Sequence, residues 1–180
     1  MKKYFTGNGD EGSTGILGES RVLKSHPRIQ SVGAIDEVSA TLGLARAMVD
    51  DPELDLLIRS ILMDLYQVMS LIVLESPDPE KFPDLNPERV DWLEQSILKY
   101  QETLPETREF IMPGDTKLAA VFGIARTVVR RAERNIVELD QAGFLLSETA
   151  LAYLNRLSSL CFVLEMYSSK KLTPISRKDI

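Results

Sequence analysis

The sequence predicts an all-α protein, a five-helix bundle with a glycine-rich N-terminal loop segment. Apolar residues recur at three- and four-residue steps from about Ile29 onward, the period of a helix with one buried face. Prolines fall between those periodic stretches rather than inside them. No stretch alternates apolar and polar residues as a half-buried strand would, and no internal repeat or low-complexity tract appears.

The elements follow in order. Gly7, Gly9, Gly12, Gly15 and Gly18 make up half of the ten glycines, so the first two dozen residues read as a loop with at most a short extended piece. Val32, Ile35, Val38, Leu42, Ala45 and Val49 mark a first helix. The cleanest stripe comes next: Leu54, Leu57, Ile58, Ile61, Leu62, Leu65, Val68, Met69 and Ile72. Pro77, Pro79 and Pro83 make residues 76–86 a connection. Asn86-Pro87-Glu88 looks like a helix start, a capping side chain followed by proline, and Val90, Leu93, Ile97 and Tyr100 continue it.

After a break from Thr103 through Pro113-Gly114, Asp115 is the expected cap of a long fourth helix. Its stripe is Leu118, Val121, Phe122, Ala125, Val128, Val129, Ala132, Ile136 and Leu139, and Gly143 ends it. A last helix begins near Ser147 and carries Leu151, Leu154, Leu157, Cys161, Leu164 and Met166. The tail from Thr173 is polar and expected to fray. The 180 residues thus read as one domain: a loop segment 1–27, a bundle 28–172 and a tail 173–180.

Lys+Arg of 21 against Asp+Glu of 27 gives −6, so no global field attracts nucleic acid or an anionic membrane. Any anionic ligand must be held by a local cluster of cations. Cys161 is the only cysteine, which excludes an intrachain disulfide and suits a reducing, cytoplasmic location. No signal peptide follows the two N-terminal lysines, and the longest apolar run, around Leu71 to Leu74, is far too short to span a bilayer.

Four features could carry chemistry. In Thr6-Gly7-Asn8-Gly9-Asp10-Glu11-Gly12-Ser13-Thr14, glycines let backbone N–H groups crowd a phosphate while hydroxyls add donors. Lys24 could supply a charge, and Asp10 or Glu11 could hold a Mg²⁺ that bridges phosphate oxygens. Neither a Walker A loop nor a dinucleotide fingerprint is present, and a turn-rich tail is the ordinary alternative.

Arg126, Arg130 and Arg134 fall at i, i+4 and i+8 on one helix face, with Arg131 and Glu133 beside them. Stacked like charges repel and so suggest a partner anion, for which guanidinium forks suit phosphate well. A solvated face with an Arg130–Glu133 bridge is the competing reading. Asn155 would need hydrogen-bond partners if it faced inward, a ligand among them. Asp36-Glu37 lies beside core positions, where Arg126 or Arg130 is an available partner. His26, the lone histidine, precedes a proline and reads as having no special role. Its solitude excludes a di-iron bundle and leaves no base for a hydrolase.

Five strings, in order over nearly the whole chain, resemble the PduO-type family of ATP:cob(I)alamin adenosyltransferases. They are residues 4–14, Gly33-Ala34-Ile35-Asp36-Glu37-Val38, Phe110-Ile111-Met112-Pro113-Gly114, residues 125–134, and Tyr153-Leu154-Asn155-Arg156-Leu157-Ser158. The resemblance implies transfer of the adenosyl group of ATP to the cobalt of cob(I)alamin by a homotrimer with active sites between subunits. The glycine-rich segment and Lys24 would wrap ATP and its Mg²⁺, and Arg130, Arg131, Glu133, Arg134 and Asn155 would bind the nucleotide. Asp36 and Arg126 would form an intersubunit salt bridge near the corrin, and Phe110 would press on its lower face, displacing the axial base. A reductase and an adenosylcobalamin-dependent enzyme are the partners implied.

Four departures from the family pattern are Asp115, Gly123, Ser159 and Val73-Leu74-Glu75-Ser76, all expected near the corrin. An ATP-binding sensor or cobalamin escort of the same fold with little turnover is the alternative, and a structural helical oligomer the third.

Overall fold

The computed structural model describes residues 4–18, 20–106, 110–145 and 147–175; the far end of the tail, 176–180, lies outside them. Among the described residues there are five helices: α1 (Pro27–Arg46), α2 (Pro52–Ile72), α3 (Glu88–Gln101), α4 (Lys117–Gln141) and α5 (Ala150–Tyr167). Every residue of the five apolar stripes lies in the buried core or packs against it. α4 is the spine, with α1 along one side and α5 along the other. α2 lies on α1, and α3 lies on α5.

Local chemistry explains the helix ends. Asp51 accepts from the Glu53 amide at 2.9 Å to start α2, and Asn86 accepts from the Glu88 amide at 3.0 Å at the head of α3. α4 stops at a Schellman turn, in which the Gly143 amide donates to Asp140 and the Phe144 amide to Leu139. Gly143 adopts φ +74° there, a conformation open to glycine at little cost.

Two expected details need correction. The cap of α4 is Thr116, whose hydroxyl accepts from the Ala119 amide at 3.0 Å, whereas the Asp115 carboxylate accepts from the Lys170 and Lys171 amides at 2.6 and 3.1 Å. Asp115 is drawn away because the chain leaving α5 offers two unpaired amides. His26 is not idle either, since its Nδ1 accepts from the Arg28 amide at 3.2 Å and caps α1.

Short strands also occur. β1 (Ser13–Gly15) pairs antiparallel with β2 (Arg21–Leu23), and β3 (Phe110–Ile111) pairs with β4 (Pro174–Ile175). The start of the tail is therefore tied down rather than frayed, because β3 offers it a ladder.

A polar knot crosses the bundle. Asp64 on α2 accepts from Arg89 on α3 at 2.7 Å and from the Tyr153 hydroxyl on α5 at 2.7 Å, and Arg89 also donates to Ser60 at 2.7 Å. Burial, reinforced by the Asp64 charge, pushes the Tyr153 hydroxyl well above its usual pKa, which keeps it a donor. Arg89→Ala leaves a buried carboxylate without its counter-ion, and about 3 kcal/mol loss of stability is expected by denaturant titration.

Candidate active site

Three surfaces gather the candidate residues. The first is the glycine-rich segment. It turns twice, with Asp10 N–H donating to Gly7 and Gly12 N–H to Gly9, at 3.1 Å each. Gly7 and Gly12 take φ of +74° and +79°, which explains their residue type. Thr6 accepts from the Asn8 amide at 3.3 Å, and the Lys24 amide donates to Gly12 at 2.9 Å. Lys24 passes so close to Gly9 that a Cβ there would lie 3.1 Å from Nζ.

Arg21, which sequence reasoning passed over, holds this segment in shape. Its guanidinium donates to the Asn8 carbonyl at 2.6 Å, the Ser13 carbonyl at 3.1 Å and the Ser13 hydroxyl at 3.0 Å. Asp10 and Glu11 are exposed on the turn and make no ion pair among the described residues. Thr14 sits in β1, opposite Val22.

The second surface is the polar edge where α4 meets α5. Asn155 donates to Glu133 at 3.0 Å and accepts from Arg156 at 2.8 Å, while Arg134 donates to the Arg130 carbonyl at 3.0 Å. Arg130, Glu133, Arg134 and Asn155 thus share one edge, but the Arg130 side chain has no acceptor among the described residues and no Arg130–Glu133 bridge forms. Arg131 stands apart, paired with Glu37 of α1.

The third surface is a cleft of about 700 Å³ bounded by α3, α4, α5 and β3. Phe110 stands at it, 86% exposed, together with Arg126, Arg130, Ser159, Phe162 and Glu165. Arg126 turns toward α5, its Nε 3.5 Å from Glu165 Oε2 and its Cζ 5.8 Å from the Phe162 ring centre. The two atoms attract as charges but make no hydrogen bond, and both are buried without another partner. Burial raises the Glu165 carboxyl above its usual pKa, with Arg126 opposing the shift.

Asp36 is exposed on α1 and does not meet Arg126 or Arg130 within one chain; Glu37 and Glu165 take up α4 arginines instead. Of the departures, Ser159 lines this cleft, Gly123 is buried behind it against the Glu165 carboxylate, and Asp115 ties down the segment after α5. Val73 to Ser76 does not. It runs beside the glycine-rich segment, where Leu17 N–H donates to Val73 at 2.8 Å and Glu75 N–H to Leu17 at 2.9 Å.

A family profile described as cobalamin adenosyltransferase matches residues 4–168. The chain belongs to that family. As a cobalamin adenosyltransferase family member it is 38% identical to a corrinoid adenosyltransferase of Bacillus subtilis (strain 168), over 89% of this chain and 83% of the relative. It is also 38% identical to a cobalamin adenosyltransferase of Cupriavidus metallidurans, over 91% of this chain and 86% of that one. A variant of a PduO-type ATP:corrinoid adenosyltransferase from Lactobacillus reuteri, solved with cobalamin and ATP, superposes with a TM-score of 0.87 at 29% identity, covering 96% and 98% of the two chains. Among the described residues no helix is long and apolar enough to cross a membrane.

Because Arg21 closes the glycine-rich turn, Arg21→Ala should open it while the bundle stays intact. Cleavage at Glu11 by a glutamate-specific protease is expected to rise about fivefold, the population change that about 1 kcal/mol produces. Far-UV circular dichroism should not change.

Proposed function

We propose that the chain transfers the 5′-deoxyadenosyl group of ATP to the cobalt of cob(I)alamin, giving adenosylcobalamin and triphosphate. The supporting observation is the cleft that joins an exposed Phe110 to Arg126 and Arg130, continuous with the arginine edge of α4, in a chain of this family. The cobalt attacks the 5′ carbon, the cobalt–carbon bond forms, and the carbon–oxygen bond breaks with its electron pair leaving on triphosphate. A nucleophile of that strength needs no general base, and the lone histidine, His26, is engaged in capping α1.

The protein's work is then positioning and charge. Arg130 and Arg134, with Glu133 and Asn155 setting their edge, would hold the triphosphate and sugar; Arg131 would support from the α1 side. The segment from Thr6 to Thr14 and Lys24 would close over the phosphates with backbone N–H groups and hydroxyls. Asp10 and Glu11 fit Mg²⁺, which takes one or two carboxylates when phosphates supply the remaining oxygens. Mg²⁺ would neutralise charge on the leaving group. Phe110 would press on the lower corrin face and exclude an axial base, which makes the Co(II) form easier to reduce.

Within one chain, no hydrogen bond or ion pair among the described residues joins the glycine-rich segment to the α4–α5 edge. A neighbouring copy would complete the site, which supports a homotrimer with Asp36 of one subunit meeting Arg126 of another. A cytoplasmic protein served by a reductase and delivering to an adenosylcobalamin-dependent enzyme fits this chemistry.

The deciding measurement is anaerobic absorbance with chemically reduced cobalamin, ATP and Mg²⁺, with the phosphate product identified. Adenosylcobalamin with stoichiometric triphosphate is expected; ATP binding without adenosylation would favour a sensor or escort. Arg130→Ala should lower kcat/KM for ATP by about 2 kcal/mol, the scale of a charge-assisted contact. Phe110→Ala should leave ATP binding intact and slow turnover from the Co(II) substrate; lost ATP binding would show that its role lies elsewhere.

A further inference from the structure

Glu165 is a buried acid on a helix face that is otherwise apolar apart from Ser158. Leu157, Leu160, Cys161 and Leu164 turn inward along α5 at 1% exposure or less, and Glu165 follows them at 8%. Its carboxylate occupies a space that exists because residue 123 on α4 has no side chain. A Cβ at Gly123 would lie 2.8 Å from Oε1 and 3.3 Å from Oε2. Glycine inside a helix costs about 1 kcal/mol against alanine, and a buried charge without hydrogen bonds costs more.

Stability does not account for this pair. Replacing a buried ion pair by apolar side chains of like volume is commonly neutral or stabilising, so a role confined to packing would be better filled by leucine or methionine. What the carboxylate does reach is Arg126, at 3.5 Å from Nε. It draws that guanidinium along the cleft wall toward Phe162, whereas Arg130, one turn further, is left exposed and without an acceptor among the described residues.

We propose that Glu165, seated in the space left by Gly123, is a positioning residue for corrinoid binding: it fixes the Arg126 guanidinium at the cleft wall and leaves nucleotide binding to Arg130 and its neighbours. This rests on the adenosyltransferase reading. Glu165 acts through Arg126 and takes no part in the bond changes.

The test uses Glu165→Gln, Gly123→Ala and the double variant Gly123→Ala/Glu165→Ala in the full-length protein. Thermal midpoint, KM for ATP, KM for cob(I)alamin and spectroscopic titration of cob(II)alamin in the presence of ATP are measured for each. Glu165→Gln keeps the shape and removes the charge; the KM for cob(I)alamin and the cob(II)alamin dissociation constant should both rise about tenfold, the scale of one charge-assisted contact. The KM for ATP and the thermal midpoint should stay at wild type. Gly123→Ala should reproduce the corrinoid defect, because its Cβ evicts the carboxylate, and should also lower the midpoint through overpacking.

The double variant adds one carbon at position 123 and removes the Glu165 carboxylate that it would strike, so its midpoint should rise above that of Gly123→Ala while corrinoid binding stays weak. Recovery of corrinoid binding together with the midpoint would show that packing is the whole role and overturn the proposal, as would wild-type corrinoid binding in Glu165→Gln. A wild-type protein that neither binds nor adenosylates cobalamin would overturn the adenosyltransferase reading itself, an outcome distinct from an active wild type with unaffected variants.

Discussion

α4 runs for 25 residues, about 37 Å at the α-helical rise, and must bury itself against α1 on one side and α5 on the other. Its fully buried residues, from Ala119 through Phe122, Ala125, Val129 and Ala132 to Ile136 and Leu139, satisfy both neighbours at once. Polar side chains are confined to what remains of the surface, two strips beside the flanking helices. At about 100° per residue, Arg130 and Arg131 cannot share a strip. Arg130 takes the α5 side, with Glu133, Arg134 and Asn155, and Arg131 takes the α1 side, where it meets Glu37. The core packing of one helix therefore decides which arginines face the cleft.

The wall opposite that strip is built from chain ends. β3 presents Phe110 by pairing for only two residues with β4, just after α5. Such a short ladder is weak by itself, and neighbouring polar contacts reinforce it. Thr116 donates to the Ser168 carbonyl at 2.8 Å, Asp115 accepts the Lys170 and Lys171 amides, and Met112 N–H donates to Thr173 at 2.8 Å. The start of α4 and the end of α5 are thus clamped together at the end of the cleft that carries Phe110. An exposed phenylalanine is ordinary on a protein surface. On the proposed reading, one held by this clamp beside two arginines would meet a large flat ligand.

The helices were legible because each needs a continuous apolar stripe, and a stripe of period 3.6 has few other readings. Gly143 and Asn86 were legible for the same kind of reason, each being a residue type whose geometry suits one end of a helix. Thr116 was not, because two adjacent residues, Asp115 and Thr116, can both cap, and the choice depends on amides 55 residues away. Strands of two or three residues are too short to alternate, so neither strand pair could be read from pattern. The arginine spacing identified a shared face but could not name partners: Arg126 goes to Glu165 and Arg131 to Glu37, both on other helices. Arg21 stood in plain view three residues before Lys24, and only the fold shows its guanidinium reaching back to Asn8 and Ser13.

Charge distribution links these local facts. The chain carries −6 overall, so attraction for a polyanion has to come from arginines left uncompensated at one place. Three arginines spaced by four residues would form a long basic track if all were free, and a triphosphate could settle anywhere along it. Glu165 and Glu37 neutralise Arg126 and Arg131 from the two flanking helices, which leaves Arg130 and Arg134 as the concentrated positive charge. On the proposed chemistry this matters, because in-line attack on the 5′ carbon requires one register of the nucleotide along α4. The carboxylate that orients Arg126 toward the corrin would also keep the phosphates one turn away from it.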